Sequence, residues 1–472
     1  MSQTVHPKPP VPADAYYGTR TAEAGEYLNV CDTTLASYPQ IVATVGKVKK
    51  ACALTNKQIR ALDPEKADAI IAACDDLIAG RLTDQFPLCV FGSFGAALNA
   101  AANEVLASRA NEILAGKKDA GTVSPADHVN MGQSANDVMA TARALVMHDE
   151  IGLLLEAVPY LEQPLADKAV EFRDVVKMGR TSYQDAIPIT LGQVFSGFHG
   201  QIRRNRLRLE EEQKRWNAVP LGATALGTGL GCMPGYFDAV CGNLSAVCGR
   251  EITRSENLFD AMQSADAYVM LHAHVQTLAM CAARIAADIR IMASGPRAGL
   301  SEITLKPLQP GSSIMPGKMN PVVPHMVMQI SQRISANHAG VALAASSGEL
   351  DSGPVSSVVA KGVIDSMELI RKGMKIFGQK VVTGVAPRTE RCRSTAERSL
   401  SLSAVISALF GYETGGRIAR IAAEKDVTCK EAAVLDGLLS RKEADELFDV
   451  LALTDIRESE KIFAKYMDKR TV

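Results

Sequence analysis

Residues 267–293 read Ala-Tyr-Val-Met-Leu-His-Ala-His-Val-Gln-Thr-Leu-Ala-Met-Cys-Ala-Ala-Arg-Ile-Ala-Ala-Asp-Ile-Arg-Ile-Met-Ala. No other stretch of the chain is apolar for so long, yet His272, His274, Gln276, Arg284, Asp288 and Arg290 interrupt it. So many polar side chains argue against a membrane span and for a helix buried on most sides in a protein core. The helical pattern runs from about Ser264 to Ser294. It has counterparts from Val138 to about Lys177, Leu191 to Trp216, Pro324 to about Ala345 and Val355 to about Val382. Helices of about 25 residues or more exceed the usual globular length. Their apolar surfaces need partners, which a long bundle shared between subunits supplies. Polar loops far apart in the sequence then meet where protomers join.

The rest of the chain agrees with an all-α reading. Apolar periodicity at three and four residues also covers about Tyr38 to Ile113, broken at Asp63-Pro64, Gly80 and Gly92, with a strong helix former from Ala100 to Ala115. At 472 residues, two or three domains are expected. Divisions at 1–146, 147–386 and 387–472 separate an N-terminal helical domain, the central bundle and a small C-terminal helical domain. Lys and Arg total 51 against 52 for Asp and Glu, which leaves no electrostatic footprint for nucleic acid or an anionic membrane. Ten cysteines without framework spacing read as reduced and mostly buried, as in a cytoplasmic protein. The polar, proline-rich Met1 to Pro12 reads as a flexible tail and not a signal peptide.

Chemistry is expected in the polar loops. The segment Gly311-Ser312-Ser313-Ile314-Met315-Pro316-Gly317-Lys318-Met319-Asn320-Pro321 holds two hydroxyls, a lysine and an asparagine, with glycines and prolines that keep it out of helix. Two others surround Ser134-Asn136 and Thr181-Ser182, within Ser124–Asp137 and Gly179–Ala186. All three are rich in hydroxyls and amides and, Lys318 apart, poor in charge. That inventory suits a carboxylate and a developing oxyanion. Taken alone, Ser134 and Asn136 read first as caps of the helix that follows. His128 reads as a loop hydrogen-bonder or part of a secondary anion site, and His325 as a cap or packing residue. The glycine-rich Leu221–Gly231 lacks a preceding strand and is a weak dinucleotide loop. His272 and His274 fall on different helix faces, and Cys232, Cys241 and Cys248 lack ligand spacing, so no metal site is expected.

These residues resemble the aspartase/fumarase superfamily over nearly the whole chain. Gly311 to Pro321 is similar to its fingerprint. Asp14-Ala15-Tyr16-Tyr17-Gly18, Asn130 to Asp137, Gly179-Arg180-Thr181, Gly222-Ala223-Thr224-Ala225, Ser294 to Leu300 and Gly411-Tyr412-Glu413 follow in the family's order. The aspartase branch looks nearest. The resemblance implies three domains, a central five-helix bundle, and a homotetramer whose 20-helix core carries active sites built from three subunits. It implies a lyase acting on a small amino-acid-like carboxylate without a cofactor. Ser312 would be the base and Ser313 an oxyanion support. Lys318 and Asn320, with Thr181, would hold a substrate carboxylate, and Ser134, Asn136, Ser182 and His325 would complete the substrate site.

The departures concern the substrate. Ala96 and Ala97 stand where relatives carry hydroxyls, and Ala135 stands for Ser or Thr. Ser182 follows Gly-Arg-Thr where many relatives have His or Gln, His325 replaces a Glu, and Glu23 an Arg. Glu349 to Pro354 lacks the usual asparagine-containing segment. The loop carboxylate's partners are kept while the hydroxyls that would bind the second carboxylate and the leaving amine are partly replaced by alanine. A carboxylate buried with fewer donors costs several kcal/mol, so plain aspartate should bind poorly. A trimethylammonium leaving group needs no such donors, which makes ergothioneine, losing trimethylamine to give thiourocanate, one concrete substrate. The alternatives are an ordinary aspartate ammonia-lyase or fumarate hydratase, and a non-catalytic structural homologue.

Overall fold

The computed structural model describes residues 9–309, 311–348, 350–353 and 357–469. In chain order the helices that position the site are α1 (Thr19–Tyr27), α2 (Pro39–Gln58), α3 (Pro64–Ile78), α4 (Ala96–Ala115), α5 (Ala135–Ala157), α6 (Pro159–Glu171), α7 (Leu191–Arg215), α8 (Tyr236–Cys248), α9 (Leu258–Gln263), α10 (Asp266–Met292), α11 (Val322–Ala345) and α12 (Ser357–Lys380). Shorter helices follow, from α13 (Thr389–Glu397) through α14 (Ser403–Phe410), α15 (Tyr412–Lys425), α16 (Cys429–Leu435) and α17 (Arg441–Leu447) to α18 (Ile456–Lys465). The expected long helices at 191, 264, 324 and 355 are thus present. The last begins at Ser357 because Val355 lies outside the described residues, as do Glu349 and Pro354. Among the described residues no helix is long and apolar enough to cross a membrane.

One expected helix is divided. From Val138 the chain is helical only to Ala157, and α6 starts at Pro159, where a first-turn proline needs no N–H partner. Beyond Glu171 the backbone forms an antiparallel hairpin, β1 (Val176–Thr181) with β2 (Gln184–Thr190). Val175, Val176, Ile187, Ile189 and Thr190 are β-branched and pack better on a pleated surface than in a helix. The polar stretch Gly179–Ala186 is therefore a hairpin end, not a loop between helices.

The chain falls into two compact units: Met1–Glu156, Leu207–Thr277 and Gln332–Leu369 in the first; Ala157–Arg206, Leu278–Ser331 and Ile370–Val472 in the second. In the first unit α2 packs on α3 and α8, and α3 on α4. The side chains of Val42, Val45, Val48, Ile70, Leu77, Leu98 and Val105 are buried there. Glu104, also buried, receives the backbone N–H groups of Gly18, Arg20 and Thr21 at 2.9, 3.0 and 3.2 Å. A carboxylate set against a helix N-terminus satisfies donors that α1 cannot pair internally, and it accounts for Gly18, where a Cβ would stand 2.8 Å from Glu104 Oε1. In the second unit Val176 and Met178 of the hairpin join Ile406, Leu409, Ile418, Ala432, Leu447 and Tyr466 in one apolar cluster under the C-terminal helices.

The polar residues that break 267–293 also have partners. His272 is fully buried, and its Nε2 lies 2.9 Å from Ser366 Oγ while its Nδ1 faces His338 Nδ1 at 3.1 Å. Ser366 Oγ donates to Gly362 O and accepts from Asn337 Nδ2. The Ser366 oxygen can then only accept from His272 Nε2–H, which leaves His272 Nδ1 as the acceptor for His338. Burial, with His338 alongside, pushes the His272 pKa down to about 4 from an ordinary 6.5. An imidazole depressed in this way stabilises the fold while neutral. Its contribution is complete above pH 6.5 and drains away as pH falls toward 4, about 3 kcal/mol in all for a 2.5-unit displacement. Between those pH values the melting temperature of the wild-type chain should therefore fall more steeply than that of His272→Gln, as read by circular dichroism; parallel curves would refute the assignment.

Candidate active site

Gly311 and Asn320 close the serine loop in the second unit. The Gly311 N–H donates to Lys318 O at 2.8 Å, and Asn320 Nδ2 donates to Gly311 O at 2.8 Å. A Cβ on Gly311 would stand 2.6 Å from the Asn320 nitrogen and 2.8 Å from Lys318 O, so only glycine permits this closure. Inside the loop, Ser312 Oγ accepts from the N–H groups of Ile314 at 3.2 Å and Met315 at 3.0 Å. Two donors aimed at one hydroxyl oxygen favour its ionised form. Ser312 is half-buried, while Ser313, Lys318, Asn320 and His325 are exposed.

Lys318 and Asn320 share a cavity of about 740 Å³ with Arg290, Ser294, Pro296 and Arg388; Ser312, Ser313 and His325 are not part of its wall. Asn320 thus spends one amide hydrogen on closing the loop and has the other for a ligand. Gly311→Ala should pull the loop ends apart and shift Ser312 by about an ångström, lowering turnover by ~10²-fold with little change in melting temperature. Unchanged turnover would show that the closure is dispensable.

Thr181 sits at the end of β1, opposite Gln184. Ser182 and Tyr183 form the turn with φ of +50° and +63°, the geometry of a two-residue hairpin connection that glycine or asparagine usually fills. No such residue marks the turn, so no local signal of a hairpin is present in Gly179–Ala186. The pairing register shifts between Met178 and Arg180. In a regular strand, residues three apart face opposite ways. The bulge turns Lys177 and Arg180 to the same side, and both reach Glu302. Arg180 Nη1 lies 2.7 Å from Glu302 Oε1, and Lys177 Nζ 3.1 Å from Oε2. The lysine contact is ionic without hydrogen-bond geometry, and one Lys177 N–H donates instead to Met178 O at 3.2 Å. Gly179 makes the bulge possible, because a Cβ there would stand 2.6 Å from Ile187 O. Glu302 is 1% exposed, whereas Thr181 and Ser182 are open to solvent. A buried ion cluster therefore anchors the strand whose tip carries the two hydroxyls.

Ser134 and Asn136 belong to the first unit, and the helix starts earlier than the expected loop: Asn136 and Asp137 lie in the first turn of α5. Ser134 Oγ accepts the Asn136 N–H at 3.3 Å and the Ser134 N–H donates to Asp137 Oδ1 at 2.9 Å, so Ser134 does cap the helix. Asn136 Nδ2 donates to Ala225 O at 2.8 Å. Asn136 also lines a cavity of about 240 Å³ with Arg143, Glu212, Arg215 and Tyr268. His128 Nδ1 accepts from the Ser124 N–H at 2.7 Å, a loop hydrogen bond, and its Nε2 lies 3.2 Å from Lys66 Nζ. At the start of α4 the amides of Ala96 and Ala97 make no hydrogen bond among the described residues, and no side chain caps the helix.

Three charged residues that organise these segments escaped the sequence reading. Asp137 receives N–H groups from Ser134, Val138, Gly222 and Thr224, which ties the glycine-rich Leu221–Gly231 to α5. Its burial pushes the carboxyl up to about 6 against the pull of those amides. Lys49 is fully buried, which lowers its ammonium to about 8, and Nζ donates to Asn130 Oδ1 at 2.9 Å and Gln133 Oε1 at 2.8 Å. Glu302 is the third. Asp137 stands inside Asn130–Asp137, whereas nothing local distinguishes Lys49 from the half-buried Lys47 and Lys50 beside it. Among the described residues no cluster of three or more His, Cys, Asp or Glu side chains could hold a metal ion.

A family model described as Lyase matches residues 8–336. Aspartate ammonia-lyase of Escherichia coli (strain K12) is 35% identical over 443 residues, 93% of each chain. Fumarate hydratase class II of Halobacterium salinarum is 39% identical over 449 residues, 94% of each. Among solved structures, the fumarate lyase:delta crystallin of Brucella melitensis matches with a TM-score of 0.91 at 38% identity, over 94% of this chain and 97% of that one. The class II fumarase of Schistosoma mansoni gives 0.90 at 31%, over 94% and 96%. The helical architecture, the sealed serine loop and these likenesses make the chain a member of the aspartase/fumarase superfamily of lyases.

Proposed function

We propose that the protein is a carbon–nitrogen lyase that eliminates an amine from an amino-acid-like carboxylate to give an unsaturated acid, with Ser312 as the base. The observation that carries this reading is the pair of amides on Ser312 Oγ within a loop closed by Asn320. The serine takes the proton beside the acid-stabilising group as an alkoxide. Preorganised donors then hold the carbanion, each worth ~3 kcal/mol. Lys318 and the free amide hydrogen of Asn320 hold the substrate carboxylate, with Thr181; Ser313, Ser134, Asn136, Ser182 and His325 line the remainder. Closure of the loop excludes water.

The substrate proposed is ergothioneine. Alanines at 96, 97 and 135 remove hydroxyl donors, while the unpaired amides of Ala96 and Ala97 keep a place for a weaker acceptor such as a thione. Aspartate ammonia-lyase or fumarate hydratase is the second reading, favoured by identities of 35 and 39% to such enzymes. Incubation of purified protein with ergothioneine should produce the absorbance of an extended conjugated acid. A flat trace, with ammonia released from L-aspartate or malate formed from fumarate, would select the second reading.

The active form is a homotetramer with composite sites, its domains divided at 146 and 386. Met270 and Met280 on α10, Leu343 on α11 and Ile376 on α12 are 51, 55, 74 and 40% exposed, apolar side chains on long helices that partner helices would cover. Light scattering at the mass of a single chain would overturn the assembly.

A further inference from the structure

Two thiols in the first unit are placed for chemistry that the elimination does not use. Residues 33–36 run antiparallel beside residues 86–90. The Leu35 N–H donates to Leu88 O at 2.8 Å and the Val90 N–H to Thr33 O at 3.0 Å, with Thr34 bridging Cys89. This pairing brings Cys31 Sγ to 3.1 Å from Cys89 Sγ. Among the described residues no other two cysteine sulfurs are within hydrogen-bonding distance of each other. Cys31 is half-buried and its one S–H can turn to Cys89 Sγ or to Thr33 O, 3.6 Å away, while Cys89 is 4% exposed. The surroundings of Cys89 also differ from those of the other buried thiols. Burial pushes Cys52 up to about 12 and raises Cys392 to about 11. Burial acts on Cys89 as well, yet the Cys31 thiol and the amides of Phe91, Val30 and Cys31 bring it below the ordinary thiol value. Two sulfurs 3.1 Å apart, one with its thiol brought below the ordinary value, are the arrangement of a reactive cysteine with its resolving partner.

We propose that Cys31 and Cys89 form a redox-active dithiol that hydroperoxides convert reversibly to a disulfide. The Cys89 thiolate attacks one peroxide oxygen, the O–O bond breaks, and the alcohol or water leaves with a proton, giving Cys89 sulfenic acid. Cys31 sulfur then attacks the sulfenic sulfur and displaces the hydroxyl, which departs as water with the Cys31 proton. Two thiols and one hydroperoxide thus give one disulfide, one alcohol (or water from hydrogen peroxide) and one water, and a dithiol reductant reverses the change. Cys89 leads into residues 90–97, which end at the unpaired amides of Ala96 and Ala97. The Gly92 N–H already donates to Ser357 Oγ at 3.1 Å in this stretch. The disulfide therefore tethers one end of a segment that the proposed substrate site uses.

The test uses the full-length protein and hydrogen peroxide, followed by alkylation of free thiols and peptide mapping by mass spectrometry. A Cys31–Cys89 cross-linked peptide pair lighter by two hydrogens should form at least ten-fold faster than any other thiol is lost, and dithiothreitol should reverse it. In Cys31→Ser, dimedone should trap a sulfenic acid at Cys89. Both peptides remaining singly alkylated while other cysteines oxidise would overturn the proposal, as would irreversible oxidation of Cys89 without cross-linking. The readout is independent of substrate, so its failure leaves the lyase reading untouched.

Discussion

Ser312→Ala should lower turnover by about 10³-fold or more while the far-ultraviolet circular dichroism and the melting temperature stay close to wild type. The expected size follows from a positioned group that moves a proton in the rate-limiting step, which contributes ~10²–10⁴-fold. It lies toward the upper end because the hydroxyl loses two preorganised donors along with the base. Stability should hardly change, since Ile314 and Met315 are 82 and 47% exposed and their amides can turn to water. Ser313→Ala is the internal control. No described hydrogen bond involves its hydroxyl, and as an oxyanion support it should cost ~10-fold to 10²-fold, less than Ser312→Ala. Lys318→Met should mainly raise KM, because a carboxylate clamp acts on ground and transition states alike. The measurement is steady-state kinetics on whichever substrate the assays above identify. Ser312→Ala turning over within ten-fold of wild type would remove Ser312 as the base.

What the sequence showed of this molecule depended on how local the determining interaction is. The long helices α7, α10, α11 and α12 were legible because a buried helix imprints its period on every turn. The serine loop was legible because glycine, proline and polar residues crowd into one short segment. The hairpin was missed for a local reason: Ser182 and Tyr183 occupy positive φ without the glycine or asparagine that signals such a turn. Lys49, Glu104 and Glu302 were missed for a non-local one. Each is a charged residue whose burial follows from partners contributed by distant segments, such as Asn130 for Lys49 and Gly18 for Glu104. A charge in a helical pattern defaults to the solvated face, and only the fold shows that it points inward. Two sequence readings of Ser134 were open, and the helix cap is the one its hydrogen bonds display.

Glu302 carries the largest stability prediction. Its backbone N–H donates to Met292 O at 2.9 Å, and its carbonyl accepts from the Arg388 N–H at 2.8 Å and Cys392 Sγ at 3.2 Å. Its carboxylate holds Lys177 and Arg180. One residue thus joins the end of α10, the hairpin and the start of α13. Glu302→Leu would leave Lys177, 7% exposed, as a buried cation and Arg180, 19% exposed, as a half-buried one, both without this counter-ion. Removing one partner of a buried ion cluster costs about 3–5 kcal/mol, far more than the cluster's net worth against an apolar replacement. The triple change Lys177→Met, Arg180→Leu and Glu302→Leu should therefore recover much of the lost stability, while Glu302→Gln, which still accepts from Arg180, should lose less than Glu302→Leu. Activity should follow a different order. The guanidinium fixes β1 just before Thr181, so the triple variant should regain its urea midpoint and still show a raised KM. A triple variant as unstable as Glu302→Leu would mean that shape, not unpaired charge, sets the cost. Normal KM in that variant would mean that Thr181 is placed by the hairpin alone, with no help from the ions beneath it.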